Sequence, residues 1–173
     1  MTFDLKASWA AFGAVAVAGL LGSAALAQPP QQTYKLNPNA PLNVGADKTT
    51  TDPVSCTTPM EGRVDITQDR TRLRANKVTA INTKTGGKCS AKVSRLEAQG
   101  NVFYVTPDRA IRADNAIYDL NGKQVTFTGN VVAVQGKDVS TADQMVFNTD
   151  TDAAVMSGHV RGVVYPEEKS AAK

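Results

Sequence analysis

The chain has 173 residues, 42% of them hydrophobic and 20% charged, with a formal net charge of +3 at neutral pH. That is enough for one domain of ordinary size. Two cysteines without a CxxC and a single histidine, His159, offer no metal-ligand spacing, and no serine–histidine–aspartate set or phosphate-cradling glycine loop stands out. No catalytic residue, metal or cofactor is therefore expected, and no nucleic-acid partner.

Lys6 precedes an apolar run from Ala7 to Ala27 that closes Ala25-Leu26-Ala27 before Gln28. A charged start, an apolar middle and a small-x-small end predict a cleaved secretory signal over residues 1–27. An uncleaved anchor is the alternative, since the run is just long enough to span a bilayer; its richness in Ala and Gly favours cleavage. Residues 28–39 read as a flexible lead-in rich in Pro, Gln and Asn, residues 40–165 as one β-repeat domain, and residues 166–173 as a disordered charged tail.

The domain is organised by a repeat. Gly100 to Thr128 and Gly129 to Ser157 match position by position over 29 residues each. Gly100-Asn101-Val102 recurs as Gly129-Asn130-Val131 and as Gly158-His159-Val160, Ala113-Asp114 recurs as Ala142-Asp143, and Phe147 stands for Tyr118. An earlier copy opens at Gly62-Arg63-Val64 and carries Ala75-Asn76, with 9 extra residues placed around Lys84–Lys92. A partial copy before it holds Ala46-Asp47. A fixed period of this size means stacked supersecondary units, none able to bury its apolar face alone.

Short apolar–polar alternations broken by Gly, Asn and Asp predict strands, about four short ones per copy, and no window carries a helical stripe. The recurring Gly suits a bend at each copy boundary, and Asn121-Gly122 a tight turn. Comparing copies assigns one face to the interior: Val64, Ile66, Leu73, Val78, Leu96, Val102, Tyr104, Ile111, Tyr118, Val125, Phe127, Val131, Met145, Phe147 and Met156, with the small Ala75, Ala113 and Ala142. Phe103, Val132, Ile117 and Val146 face outward and fit that side less well. Alternation does not separate an ordinary core from the lining of an open groove.

Charge is uneven. From Gly62 to Arg95 nine Lys or Arg stand against Asp65 and Asp69, whereas the rest of the chain is mildly acidic. Arg70, Arg72, Arg74 and Lys77 are candidates for contact with phosphate or another anion, the alternative being a solvated edge. Export to an oxidising compartment favours a Cys56–Cys89 disulfide, which would pin the insertion to the preceding copy.

The pattern GNV-x-V, then Ala-Asp, then an apolar-Tyr-Asp or apolar-Phe-Asn triplet, then another Gly-Asn-Val, resembles the LptA/OstA family of lipopolysaccharide transport proteins over about residues 40–163. The segment GNVFYV…RADNAIYDLNGKQVTFTGNVVAVQGKDVSTADQMVFN carries it most strongly. The first copies and the cysteine pair depart from the pattern. The resemblance implies an all-β, V-shaped antiparallel β-jellyroll open along one side. It implies a periplasmic carrier that bridges the two membranes and shields the acyl chains of lipid A in an apolar trough. The trough residues would be Val64, Ile66, Leu73, Val102, Tyr104, Ile111, Tyr118, Val125, Phe127, Val131, Met145, Phe147 and Met156. Its implied partners are lipopolysaccharide, inner- and outer-membrane components of the transport machinery joined by edge-strand pairing, and further copies of itself, head to tail. A cell-envelope scaffold with the same repeat, a filled core and no lipid is the alternative.

Overall fold

Alternating residues of the repeat build strands throughout, and no described residue is helical. The computed structural model describes Tyr34, Asn37 and residues 40–165. The expected signal and charged tail lie outside the described residues. The strands are β1 (Leu42–Gly45), β2 (Lys48–Thr49), β3 (Thr57–Gln68), β4 (Thr71–Thr85), β5 (Lys88–Val105), β6 (Arg109–Asp119), β7 (Gln124–Gln135), β8 (Asp138–Asn148), β9 (Ala154–Ser157) and β10 (Arg161–Val163). They form one antiparallel sheet in the order β1-β3-β4-β5-β6-β7-β8-β10, with β2 also on β3 and β9 also on β8. From β3 to β8 sequence neighbours pair, as short connections require, whereas β1 skips β2 to reach β3 and β10 skips β9 to reach β8.

The expectation of four short strands per copy is corrected: each copy is two long strands, one of which carries an irregularity at its middle. Gly129 and Asn130 have φ of 77° and 46° and together oppose Asp143, so Thr128 pairs with Gln144 but Val131 with Ala142. This is a β-bulge, two residues against one, which bends the strand and sharpens its twist. The same shift recurs at Gly62-Arg63 and at Gly100-Asn101. The repeated Gly therefore marks a mid-strand bend and not the end of a unit. Periodicity misses this because a bulge leaves apolar residues on both sides of it and only displaces their phase.

Across this row the Asp or Asn of one strand lies over the Gly of the next. A Cβ on Gly129 would stand 2.5 Å from Asp114 Oδ2, and one on Gly62 would stand 2.5 Å from Asp47 Oδ2. At Gly62, Gly129 and Gly158 the residue after the Gly then meets the same carboxylate. Arg63 donates to Asp47 at 2.7 and 3.1 Å, Asn130 Nδ2 to Asp114 Oδ2 at 2.8 Å, and His159 Nδ1 lies 2.7 Å from Asp143 Oδ2.

The aligned bends divide the sheet into two wings. One holds residues 64–68, 71–75, 102–105, 109–113, 131–135 and 138–142; the other holds the segments on the far side of the bulges. The apolar core lies between them. Phe127, Val78 and Val102 are 0% exposed, and Met60, Ala80, Ala98 and Ala116 join the buried set.

The extra residues of the long copy extend the β4–β5 hairpin. These strands pair out to Thr85 and Lys88, whereas β3 leaves β4 at Ile81 and β6 leaves β5 at Arg95. The projecting tip is tied back by a disulfide between Cys56 and Cys89, Cα–Cα 5.3 Å, sequence separation 33.

Candidate functional site: the interior between the wings

The inward face expected from the repeat is the face that meets between the wings. Val64, Ile66, Val102, Ile111, Val125, Phe127, Val131, Met145 and Phe147 are buried in the core cluster; Leu73, Tyr104, Tyr118, Leu96 and Met156 pack against it partly exposed. Ala75, Ala113 and Ala142 are buried as well. Phe103, on the opposite face, is 43% exposed, with the Arg112 guanidinium 5.9 Å from its ring centroid.

Contacts between wings show how closely they meet. Tyr104 and Phe127 lie on opposite sides of the bends, yet their rings are 5.8 Å apart at 52°. Burial pushes the Tyr104 phenol well above its ordinary pKa, with the nearby Tyr118 adding to the rise. Arg109 begins β6, in register with Gln135 of β7, which pairs with Asp138 at the start of β8. Its guanidinium nevertheless lies 4.5 Å from the ring centroid of Phe147, near the other end of β8, and 3.6 Å from Asp152, beyond that end. Measured along β8 the separation is about 30 Å at ~3.4 Å per residue. Only a sheet folded back at its bulges brings these groups together.

The lip where they meet is polar. Thr106 Oγ1 donates to Asp108 Oδ1 at 2.5 Å, and Thr106 N donates to the Arg109 carbonyl at 2.9 Å, which closes the turn before β6. Burial would raise the Asp108 carboxyl, but the Thr106 hydroxyl and the Arg109 charge outweigh it and hold the group below its usual range. Tyr34, from the lead-in, reaches the same lip. Its hydroxyl donates to Asp69 Oδ2 at 3.0 Å and accepts from Thr71 Oγ1 at 3.2 Å. Arg70 stacks on its ring at 4.7 Å.

The candidate anion-binding residues do not form one cluster. Arg72 is held by Asp65, Nε to Oδ1 2.8 Å, and Lys77 by Glu61 at 3.0 Å. Arg70 is committed to Tyr34. Arg74 lines an outer concavity of ≈ 560 Å³ together with Arg63, Asp47, Asp65, Asn76 and Phe103. Sequence reasoning passed over Arg109 altogether. It does not recur at the matching position of the other copies, where Thr71 and Asp138 stand, and it follows Pro107-Asp108, which reads as loop. Among the described residues no group of three or more His, Cys, Asp or Glu is placed to hold a metal ion.

Each end of the sheet presents an exposed edge. At one end Leu42 and Val44 of β1 are half exposed; at the other Val155 of β9, Val163 of β10 and the following Val164 and Tyr165 are exposed.

Comparison with known proteins bears on this arrangement. The family described as LptA/(LptD N-terminal domain) LPS transport protein matches residues 43–109 and 110–170. Among solved structures the chain is similar to LptH of Pseudomonas aeruginosa, described as the LptA homologous periplasmic component of the lipopolysaccharide transport device. The TM-score is 0.65 at 18% identity, over 73% of this chain and 96% of that one. No curated protein matches the chain.

Proposed function

The chain belongs to the LptA/(LptD N-terminal domain) family of lipopolysaccharide transport proteins, and from that premise we propose that it carries lipopolysaccharide across the periplasm with the acyl chains held between its two wings. The observation that carries the reading is the apolar interior between the wings, bounded along one lip by polar and charged groups. A lipid in transit needs its tails kept from water, at about 0.8 kcal/mol per CH₂. A folded sheet supplies that shelter and leaves a seam from which a headgroup can project. Val64, Ile66, Leu73, Val102, Tyr104, Ile111, Tyr118, Val125, Phe127, Val131, Met145, Phe147 and Met156 are the proposed acyl contacts. Because the wings already touch at Tyr104 and Phe127, the tails enter by parting them, exchanging side-chain contacts for lipid contacts of similar apolarity.

The exposed edges support the rest of the reading. Each offers unpaired backbone groups, ordinarily a hazard, to an added strand. One edge would take the inner-membrane side of the machinery or the tail of another copy, and the opposite edge the outer-membrane side. The signal at residues 1–27 would deliver the chain to the periplasm, where LptH is a component by its description. No catalytic step is needed for carriage. Of the four candidates Arg70, Arg72, Arg74 and Lys77, Arg74 alone has a guanidinium or ammonium that no hydrogen bond, ion pair or ring contact engages among the described residues, and it is proposed for an anionic contact on the outer surface.

Photo-crosslinking tests the reading. A photoreactive residue at Tyr104 or Phe127 should capture lipopolysaccharide in cells, and one at Phe103 should not. Phe127→Asp should abolish capture from Tyr104, since a charge would then lie among acyl chains. Equal capture from Phe103 and Phe127 would refute the assignment of the interior. Absence of capture from either interior position, with the protein folded and exported, would favour a lipid-free scaffold.

A further inference from the structure

The most heavily buried cation at the lip is held by its carboxylates only at long distances, with its guanidinium stacked on the Phe147 ring. The Arg109 side chain is 8% exposed. Among the described residues its guanidinium makes one hydrogen bond, and that one is long, Nη2 to Asp108 Oδ2 at 3.4 Å; Asp152 Oδ1 stands at 3.6 Å, outside a good hydrogen bond. Arg63, on the open surface, makes three hydrogen bonds to Asp47 at 2.7–3.1 Å. A pair built for stability would show the reverse, because a desolvated guanidinium with five donors needs close partners far more than a solvated one does. Arg109 instead faces a cavity of ≈ 20 Å³, room for about one water, bordered by Tyr104, Phe147, Asp108 and Asp152. Tyr34 adds a third aromatic residue to its lining.

The two carboxylates differ in kind. Asp108 is fixed beside Arg109 by the Thr106 hydroxyl. Asp152 belongs to the opposite wing and sits in the turn between β8 and β9, at φ 58°, where its neighbour Thr151 is exposed. It is the group that can leave, and its departure would remove an ion pair between the wings.

We propose that Arg109 is the site that receives a phosphate monoester of the glycolipid headgroup, and that Asp152 holds that place until the lipid arrives. A phosphate brings more charge than a carboxylate and three acceptor oxygens, and guanidinium meets it with paired, charge-assisted hydrogen bonds. Acyl chains entering between the wings carry the headgroup to the lip, so entry of the tails and exchange at Arg109 occur together. Inorganic phosphate has the same chemistry but no tails, and does not part the wings. The inference rests on the proposed carriage of lipopolysaccharide and names the residue that reads its headgroup.

The test uses the purified mature protein with intact lipid A, lipid A stripped of phosphate, and inorganic phosphate as competitor. Arg109→Gln should weaken binding of intact lipid A by about tenfold or more and bind the stripped lipid no more weakly than wild type does. Asp152→Asn, in a surface turn, should bind intact lipid A about fivefold more tightly, since it removes a competing anion. Arg109→Lys keeps the charge and should retain part of the affinity lost in Arg109→Gln, which separates loss of the charge from loss of the fold. Millimolar inorganic phosphate should leave bound lipid A in place. Three results would each overturn the inference: equal loss on both lipids in Arg109→Gln, tighter binding of intact lipid A in both Arg109→Gln and Asp152→Asn, or displacement by inorganic phosphate alone. Failure of the wild-type protein to bind either lipid would sink the carriage reading and this inference with it. Binding by wild type without any phosphate dependence would sink this inference alone.

Discussion

Substituting Gly129 by Ala tests whether the bulges create the bend. Gly129 has φ 77°, and an added Cβ would meet Asp114 Oδ2 at 2.5 Å and Asp114 Cβ at 2.9 Å. Gly136, in the β7–β8 turn, has φ 59° and nothing within 4 Å of an added Cβ. Gly136→Ala therefore carries only the left-handed backbone cost, about 1–2 kcal/mol. Gly129→Ala carries that cost plus displacement of the Asp114 side chain, about 1–3 kcal/mol more. It also weakens the 2.8 Å hydrogen bond from Asn130 to that carboxylate. The expected totals are about 2–5 kcal/mol for Gly129→Ala and about 1–2 kcal/mol for Gly136→Ala, read as shifts in urea midpoint at unchanged slope. Adding Asp114→Gly to Gly129→Ala removes the obstructing atoms and should recover part of the difference. Equal destabilisation by the two single Ala substitutions would refute the argument that the Asp-over-Gly contact shapes the bend.

Three further outcomes follow from other parts of the molecule. Removing the disulfide by replacing Cys56 and Cys89 with Ser should cost about 3–4 kcal/mol for its 33-residue separation, and neither thiol of the native protein should react with an alkylating agent before reduction. The raised Tyr104 pKa contributes stability that is complete below the unfolded phenol value of about 10 and is lost as pH rises from there towards the folded value. Tyr104→Phe should accordingly flatten the alkaline limb of a stability–pH profile and leave the acid limb unchanged. Phe127→Ala, at a side chain with no exposed surface, should lower unfolding free energy by about 3–5 kcal/mol, whereas Phe103→Ala should change it by much less.

Most of the fold was legible because the repeat writes its geometry in short-range signals. Gly-Asn-Val and Ala-Asp recur at fixed spacing, and those residues are the two sides of each bulge. Inward positions were legible for the same reason: Val102, Phe127 and Phe147 keep their phase within a half-strand. Three things were not. Strands looked broken at Gly129 because a turn glycine and a bulge glycine share the same positive φ. Ala80 and Ala98 were missed because alanine is at home on either face. The Arg109–Phe147–Asp152 contact was invisible because it depends on the angle at which the sheet folds, a property no local spacing records. The ion pairs of the basic segment were hidden for a related reason, since Asp65 and Glu61, which pair with Arg72 and Lys77, lie on a neighbouring strand.

Placing the bends inside the long strands, and not in the loops, lets the folded profile of the sheet repeat from one copy to the next. Eight strand positions at about 4.8 Å give a length of about 34 Å across the sheet, and each 29-residue copy contributes about 10 Å of it. Duplicating or deleting one copy would lengthen or shorten the profile without altering its angle, its lining or its two ends. Reach in such a protein is set by copy number, and every increment arrives with its own bend already written into it.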